Sequence, residues 1–168
     1  YFICTDGQDF VSFPSAQDHK RIGEGDTGPN TGGMGAYSPA PIFTKEVKQQ
    51  VDEKIIKPTL KALQDMGEPY KGILYAGLMI NNGNAKLVEY NVRFGDPECQ
   101  VLMLRIKSDI VEMMLNSIHE KIKETQLDWG NDHCATVVMA SKGYPGDFEK
   151  KTVINKLNKL NNNDNFQI

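Results

Sequence analysis

The pattern of apolar and polar positions first predicts two β-hairpins. In each, two apolar, strand-forming runs flank a dipeptide that favours a tight turn. The runs are residues 2–4 and 10–13 around Asp6-Gly7, and residues 72–80 and 85–94 around Asn82-Gly83. Residues 72–80 do not alternate regularly between apolar and polar side chains, so we expect this strand to be buried on both faces.

Apolar spacing in the first case and capping residues in the other two predict three helices. The first follows the N-cap Thr44, kinks at Pro58 and ends near Gly67. The second opens with Asp96 as N-cap and Pro97 as its first residue and reaches about residue 107. The third opens with a capping box of Asp109 and Glu112 and reaches about residue 124; a strand at 135–139 and a turn at 143–146 follow it.

Residues 15–41 contain six glycines, and we expect them to form a long loop, which in a compact domain is usually functional or disordered. Gly23 to Gly28 match G-x-G-x-x-G literally, but a dinucleotide fingerprint must follow a strand and open a helix. A basic and polar run precedes this match and Pro29 follows it, which excludes a Rossmann site. Backbone N–H groups of residues 28–35 can approach an anionic ligand closely. The alternative is a mobile surface loop.

The second strand of the second hairpin carries the clearest chemistry. Alternation of side chains places Leu87, Glu89, Asn91 and Arg93 on one face and Val88, Tyr90, Val92 and Phe94 on the other, which we expect to be the core face. Carboxylate and amide oxygens suit Mg²⁺ or Mn²⁺, and a guanidinium suits phosphate oxygens. The alternative is a solvated strand face with a Glu–Arg pair.

Composition narrows the possible classes of protein. The chain has 168 residues, with 19 Lys and Arg against 22 Asp and Glu, so its formal charge is −3. That charge argues against nonspecific nucleic-acid binding, and no apolar run approaches the roughly 20 residues that span a bilayer. The chain has three cysteines that are far apart in sequence, which argues against a disulfide framework and against a thiolate zinc site. This pattern favours a reducing, cytoplasmic location. Both ends resemble interrupted strands, so we expect an internal piece of a longer protein.

Three segments of the sequence carry a resemblance to a known family. The chain resembles the glycinamide ribonucleotide synthetases, a family of the ATP-grasp superfamily, over nearly its whole length up to about residue 147. The motif Glu-x-Asn-x-Arg is typical of the superfamily, whereas the glycine-rich segment is specific to the family. The segments are Gln17-Asp18-His19-Lys20-Arg21, Asp26-Thr27-Gly28-Pro29-Asn30-Thr31-Gly32-Gly33-Met34-Gly35-Ala36-Tyr37 and Glu89-Tyr90-Asn91-Val92-Arg93-Phe94-Gly95-Asp96-Pro97-Glu98.

The resemblance implies a fold and a reaction. The implied fold is α+β, with a mainly antiparallel sheet and flanking helices forming the larger part of an ATP-grasp domain over residues 1–130, and the start of a C-terminal domain over 131–168. The implied reaction consumes ATP to phosphorylate glycine, whose acyl phosphate is attacked by the amine of 5-phosphoribosylamine. Its products are glycinamide ribonucleotide, ADP and phosphate, in purine biosynthesis.

The resemblance also implies roles for individual residues. Glu89 and Asn91 correspond to ligands of Mg²⁺ or Mn²⁺ and contact ATP through the metal, and Arg93 neutralises the acyl phosphate as a catalytic residue. The residues implied in binding substrate are Asp26, Gly28, Asn30, Thr31, Gly32, Gly33, Gly35, Asp96 and Pro97.

Two departures limit what this chain can do alone. The strand that precedes Glu89 reads Tyr75-Ala76-Gly77-Leu78-Met79 and lacks the further acidic metal ligand that many ATP-grasp enzymes carry there. The family's ATP-clamping elements would precede Tyr1, so we expect residues 1–168 alone to be inactive.

Two rival functions remain. Another purine-pathway ATP-grasp ligase would share Glu89, Asn91 and Arg93 but lack the segment at 26–37. A non-catalytic nucleotide-binding module is disfavoured because all three of those residues are intact.

Overall fold

The structure is a computed structural model and describes residues 1–159. Contacts divide the chain into two units, Tyr1–Val138 and Met139–Ile168. The strands in chain order are β1 (Phe2–Thr5), β2 (Phe10–Ser12), β3 (Gln17–Asp18), β4 (Arg21–Gly23), β5 (Thr27–Asn30), β6 (Gly35–Ser38), β7 (Gly72–Asn81), β8 (Asn84–Asn91) and β9 (Cys134–Val137). The helices are α1 (Lys45–Val51), a π-helical turn (Asp52–Ile56), α2 (Lys57–Asp65), α3 (Glu98–Met103), α4 (Ile110–Ile118) and 3₁₀ turns at Ile122–Glu124 and Leu157–Lys159.

The main sheet contains both predicted hairpins. Its four antiparallel strands follow the order β2-β1-β7-β8, so the first hairpin lies against the second through β1 and β7. The Asp6 carboxylate holds the first turn by accepting the backbone N–H groups of Gln8 and Asp9. Both predicted hairpins are therefore confirmed. They could be predicted from sequence because the residues that form each turn are neighbours in the chain. The second strand of the second hairpin ends at Asn91 rather than at residue 94.

The expectation of one long loop over residues 15–41 is wrong. This segment contains four short strands, of which β3 and β6 join β9 in a three-stranded sheet and β4 pairs with β5. Strands of two to four residues show too few alternations to be read from sequence. The partner strand β9 lies about a hundred residues further along the chain, so local pattern does not reveal the pairing.

The helices follow the predicted caps in two of three cases. Thr44 Oγ1 accepts the N–H of Val47, and Asp109 accepts those of Val111 and Glu112, as predicted. The first helix is distorted into a π turn just before Pro58 and continues as α2. The second cap is wrong: Pro97 occupies the N-cap position and the Asp96 carboxylate accepts the side-chain amide of Gln100 instead. The second and third helices also end earlier than predicted, at Met103 and Ile118.

Helices cover both faces of the main sheet, and each face has its own core. One core packs Ile3, Leu74 and Ala76 against α1, the π turn and α2. The other packs Phe2 and Cys4 against residues that include Leu102, Met113 and Ile122. This is the α+β, mainly antiparallel arrangement that was predicted. Burial of β7 on both faces is confirmed only in its first half, because Met79 is 65% exposed.

The second unit begins at Met139. Its turn is confirmed: Gly146 N–H donates to Gly143 O at 2.9 Å, and the rings of Tyr144 and Phe148 meet edge to face at 5.5 Å. The first unit extends to residue 138 because β9 pairs with β6. The domain boundary near residue 131 that the family resemblance implies stays a prediction.

Candidate functional site

A β-bulge changes which side chains of β8 share a face. Gly77 of β7 lies opposite Glu89 and Leu78 lies opposite Leu87, so Val88 is the extra residue between them. A bulge shifts the alternation of its strand by one position. Glu89 and Leu87 are therefore on opposite faces of the sheet, contrary to prediction.

The predicted core face of this strand is also wrong. Val88 is 65% exposed and Val92 is 69% exposed. Tyr90 packs against the α1 and α2 core, whereas Phe94 packs against the opposite core. The bulge and the end of the strand at Asn91 both interrupt the period of two on which that prediction rested.

Glu89, Asn91 and Arg93 nevertheless form a continuous row. Asn91 Nδ2 donates to Glu89 Oε1 at 3.1 Å, and an Arg93 guanidinium N–H donates to Asn91 Oδ1 at 3.4 Å. The other terminal nitrogen of Arg93 donates to the carbonyl of Phe94 at 2.9 Å. Glu89 and Arg93 are exposed and Asn91 is half-buried. The row therefore presents carboxylate and amide oxygens beside a guanidinium at the surface.

Tyr75 and Glu98 lie behind this row. Tyr75 is the cross-strand partner of Asn91, its ring stacks on Phe2 at 4.3 Å, and its hydroxyl donates to Glu98 Oε1 at 2.8 Å. Burial is the main cause that raises the pKa of Tyr75, and the hydrogen bond to Glu98 adds to it. The phenol is therefore a neutral hydrogen-bond donor at neutral pH.

Lys20 places a positive charge near these acids. Its Nζ lies 2.6 Å from Asp18 Oδ2. The hydrogen bond to Asp18 is the largest cause that raises the pKa of Lys20, and the charges of Glu98 and Glu89 raise it further. The Lys20 ammonium therefore sits in the field of three carboxylates, one of which belongs to the row on β8.

The predicted substrate-binding residues fall into two groups. In the first, Gly33 packs directly against the Asp96-Pro97 peptide: a Cβ at Gly33 would lie 2.5 Å from Pro97 Cδ and 2.9 Å from Asp96 O. Gly33 also has φ +135°, and its N–H donates to Thr31 Oγ1 at 3.0 Å. Gly35 lies under β9, because a Cβ there would lie 2.6 Å from Thr136 O.

The second group lies on the hairpin of β4 and β5. Asp26, Gly28 and Asn30 are exposed there, and Asp26 and Gly28 have φ values of 58° and 82°. Arg21 donates to the carbonyl of Gly28 at 3.0 Å. Gly32, also exposed, lies between the two groups. The structure thus brings Thr31, Gly33, Asp96 and Pro97 together and sets Asp26, Gly28 and Asn30 on a separate hairpin.

A cavity of about 290 Å³ opens beside Asp18 and Tyr75. Its other lining residues include Gln17, Phe43 and Met79. Within residues 1–159, no group of three or more His, Cys, Asp and Glu side chains is arranged to hold a metal ion. Cys4, Cys99 and Cys134 are free thiols.

Sequence reasoning missed Tyr75, Glu98, Asp18 and Lys20 as site residues. Tyr75 lies two positions before Gly77 on the same strand face, so the hairpin register was a usable signal for it. Burial of the Glu98 carboxylate had no signal in the sequence, since acids at a helix start are usually exposed.

Over residues 1–159, none of the helices is long and apolar enough to cross a membrane.

Fold and site together define an ATP-grasp protein. Residues 1–99 match the family described as Phosphoribosylglycinamide synthetase, ATP-grasp (A) domain, and the chain belongs to this family.

Three curated relatives are named phosphoribosylamine–glycine ligase. The chain is 54% identical over 159 residues to the one from Vigna unguiculata, covering 94% of this chain and 51% of that protein. It is 47% identical over 168 residues to the one from Brucella melitensis, covering 100% of this chain and 39% of that protein. It is 50% identical over 158 residues to the one from Escherichia coli K12, covering 94% of this chain and 37% of that protein. The chain therefore spans about half or less of these relatives.

A solved structure is similar as well. The crystal structure of phosphoribosylamine–glycine ligase from Thermotoga maritima matches with a TM-score of 0.73 and 34% identity, covering 88% of this chain and 37% of that one. This agreement supports the order and pairing of elements described above.

Proposed function

We propose that the full-length protein to which this chain belongs is an ATP-dependent ligase that joins glycine to 5-phosphoribosylamine through a glycyl phosphate. The names of the relatives support this reaction. The observation that carries the proposal is the hydrogen-bonded row of Glu89, Asn91 and Arg93. Such a row combines oxygen ligands for a divalent cation with a guanidinium for phosphate oxygens.

We infer that Glu89 and Asn91 would hold Mg²⁺ or Mn²⁺ together with phosphate oxygens of ATP. The donor set fits: a carboxylate and an amide in hydrogen-bond contact at an exposed strand end leave room for water and phosphate ligands. When bound, the metal supplies positive charge that offsets charge on the transferring phosphoryl group. Arg93 would bind oxygens of the acyl phosphate beside it, where its fork can make two parallel hydrogen bonds.

Glycine and 5-phosphoribosylamine would bind on the side of the row formed by residues 31–35 and the Asp96-Pro97 peptide. The Thr31 hydroxyl already orders this segment by accepting the N–H of Gly33 and donating to the Lys20 carbonyl at 2.7 Å. Gly32 is exposed at this segment, whereas Gly33 is buried against the Asp96-Pro97 peptide and would fix its position. Asp26, Gly28 and Asn30 would contribute through the β4–β5 hairpin.

The residues of this chain would act by binding, orientation and charge. They would align the glycine carboxylate with the phosphate to be transferred and hold the acyl phosphate while the amine attacks. Closure by the remainder of the enzyme would exclude water, so that the acyl phosphate reacts with the amine. The free cysteines support a reducing, cytoplasmic location.

The test is a coupled assay of ADP release by the full-length protein. ADP release should require glycine, 5-phosphoribosylamine and a divalent cation together, and glycinamide ribonucleotide should appear in equal amount. Release that needs a different carboxylate would favour another ATP-grasp ligase. ATP binding without any release would favour the non-catalytic module.

A further inference from the structure

Glu98 is a carboxylate that the proposed reaction does not use. It is 2% exposed, although it lies only five residues after Arg93. A side chain this enclosed cannot reach a ligand bound at the surface row. An ionisable group is nevertheless costly to bury unless its hydrogen bonds are satisfied, so its partners indicate its role.

The first partner of Glu98 is the Tyr75 hydroxyl, which donates to Oε1 at 2.8 Å. Tyr75 is held from below by stacking on Phe2 and is the direct cross-strand partner of Asn91. Directly opposed residues of antiparallel strands have Cβ atoms about 5 Å apart and interact through their side chains. Through Tyr75, Glu98 therefore supports the strand position from which Asn91 projects.

The Glu98 carboxylate also lies close to the backbone at Gly95. A Cβ at Gly95 would overlap Glu98 Oε2, so the carboxylate folds back onto the turn between Arg93 and α3. The N–H of Cys99 donates to the Gly95 carbonyl at 2.9 Å and closes the same turn. One buried side chain thus lies between Tyr75, which is the cross-strand partner of Asn91, and the turn that follows Arg93.

We propose that Glu98 is a positioning residue that, together with Tyr75, fixes the relative placement of Asn91 and Arg93. This inference rests on the proposed function. Groups that orient metal ligands typically change metal affinity or activity by about 10- to 100-fold when removed. Loss of Glu98 should therefore weaken metal binding and turnover and leave the affinity for glycine unchanged.

The test compares Glu98→Ala, Glu98→Gln and Tyr75→Phe with the wild-type full-length protein. Glu98→Ala should lower kcat about tenfold, raise the Mg²⁺ concentration for half-maximal rate about tenfold and change the KM for glycine less than twofold. Glu98→Gln should recover most of the loss, because an amide oxygen still accepts from Tyr75. The double variant Tyr75→Phe with Glu98→Ala should be no worse than Glu98→Ala alone. Glu112→Ala is the matched control, since Glu112 is an exposed acid in the first turn of α4.

Mn²⁺ titration followed by electron paramagnetic resonance gives a readout that needs no turnover. Affinity should fall about tenfold in Glu98→Ala and stay unchanged in Glu112→Ala. If the wild-type protein shows no ligase activity, the proposed function is refuted. A fall in Mn²⁺ affinity from wild type to Glu98→Ala would still support the positioning role in that case. Unchanged kcat and Mn²⁺ affinity in Tyr75→Phe, which removes the hydrogen bond to Glu98, would overturn the inference even if Glu98→Ala fails to fold. A raised KM for glycine in either variant would overturn it as well.

Discussion

Gly77 lies directly opposite Glu89 across β7 and β8, and a Cβ at Gly77 would stand 3.1 Å from Glu89 Cγ. The missing side chain leaves the space that the Glu89 side chain occupies. The adjacent bulge at Val88 shifts the register of β8 against β7, so that Glu89, like Asn91, lies on the same face of the sheet as Tyr75. A glycine and a bulge on neighbouring strands therefore set the position of the acid in the proposed metal site.

Gly77→Ala should displace Glu89 without unfolding the protein. A contact of 3.1 Å is tight, but its partner is a side-chain carbon that can move. We expect a several-fold loss of Mn²⁺ affinity and a thermal unfolding midpoint close to that of the wild type. The loss should vanish in a Glu89→Ala background, and a loss that persists there would mean that Gly77 acts elsewhere.

Glu89→Ala and Asn91→Ala should each lower Mg²⁺-dependent turnover of the full-length protein by roughly a hundredfold. Their free energy of unfolding should change by less than about 0.5 kcal/mol, because surface positions contribute little packing. Arg93→Lys should also lower turnover, since the single ammonium of lysine cannot replace the two parallel hydrogen bonds of a guanidinium. Lys86→Gln, an exposed change on the same strand, is the control. Near-normal rates at ordinary Mg²⁺ in the Glu89 or Asn91 variant would refute the metal assignment.

Gly33→Ala should destabilise the chain by about 2 kcal/mol, because φ +135° is strained for any residue with a Cβ and Pro97 lies in the way. Denaturant unfolding measures this loss. Gly130→Ala is the control, since a Cβ there meets ordinary contacts of 3.5 Å and beyond.

In the full-length protein, the same Gly33 change should raise the KM for glycine or 5-phosphoribosylamine more than the KM for ATP. Weakened ATP binding with normal substrate KM values would place this segment in the nucleotide site.

Stability should fall above about pH 10 through Tyr75. Its pKa is raised in the folded state from the ordinary 10.0, so the unfolded chain loses the phenolic proton first. The stability that depends on the protonated phenol is present below pH 10 and decreases by about 1.4 kcal/mol per pH unit above it. In unfolding experiments between pH 8 and 11, the free energy of unfolding of Tyr75→Phe should fall less steeply with pH than that of the wild type. The difference in slope at the alkaline end should correspond to nearly one proton. An unchanged slope would show that Tyr75 does not titrate differently in the two states.

Residues 1–168 alone should form no glycinamide ribonucleotide. The chain supplies one wall of the proposed site, and alignment of phosphate with carboxylate requires a second element that closes over ATP. ATP binding should be no tighter than high micromolar, roughly −5 to −6 kcal/mol, by isothermal titration calorimetry. Measurable turnover by the purified chain would contradict the need for that closure.

The sequence by itself determined the features that depend on neighbouring residues. Asp6-Gly7 and Asn82-Gly83 specify two hairpins, and Thr44 and Asp109 specify two helix starts, because turn and cap chemistry acts within four residues. The row of Glu89, Asn91 and Arg93 was readable for the same reason. Its members are two positions apart, and the strand keeps them adjacent even after a bulge.

Only the tertiary structure decided which residues from distant segments meet. The bulge at Val88 depends on pairing with β7, the burial of Glu98 depends on Tyr75 lying 23 positions earlier, and the fit of Gly33 depends on Pro97. β6 found its partner in β9 across about a hundred residues. Local preferences carry no information about such contacts, because burial, strand register and close approach arise only when the packed elements share one space.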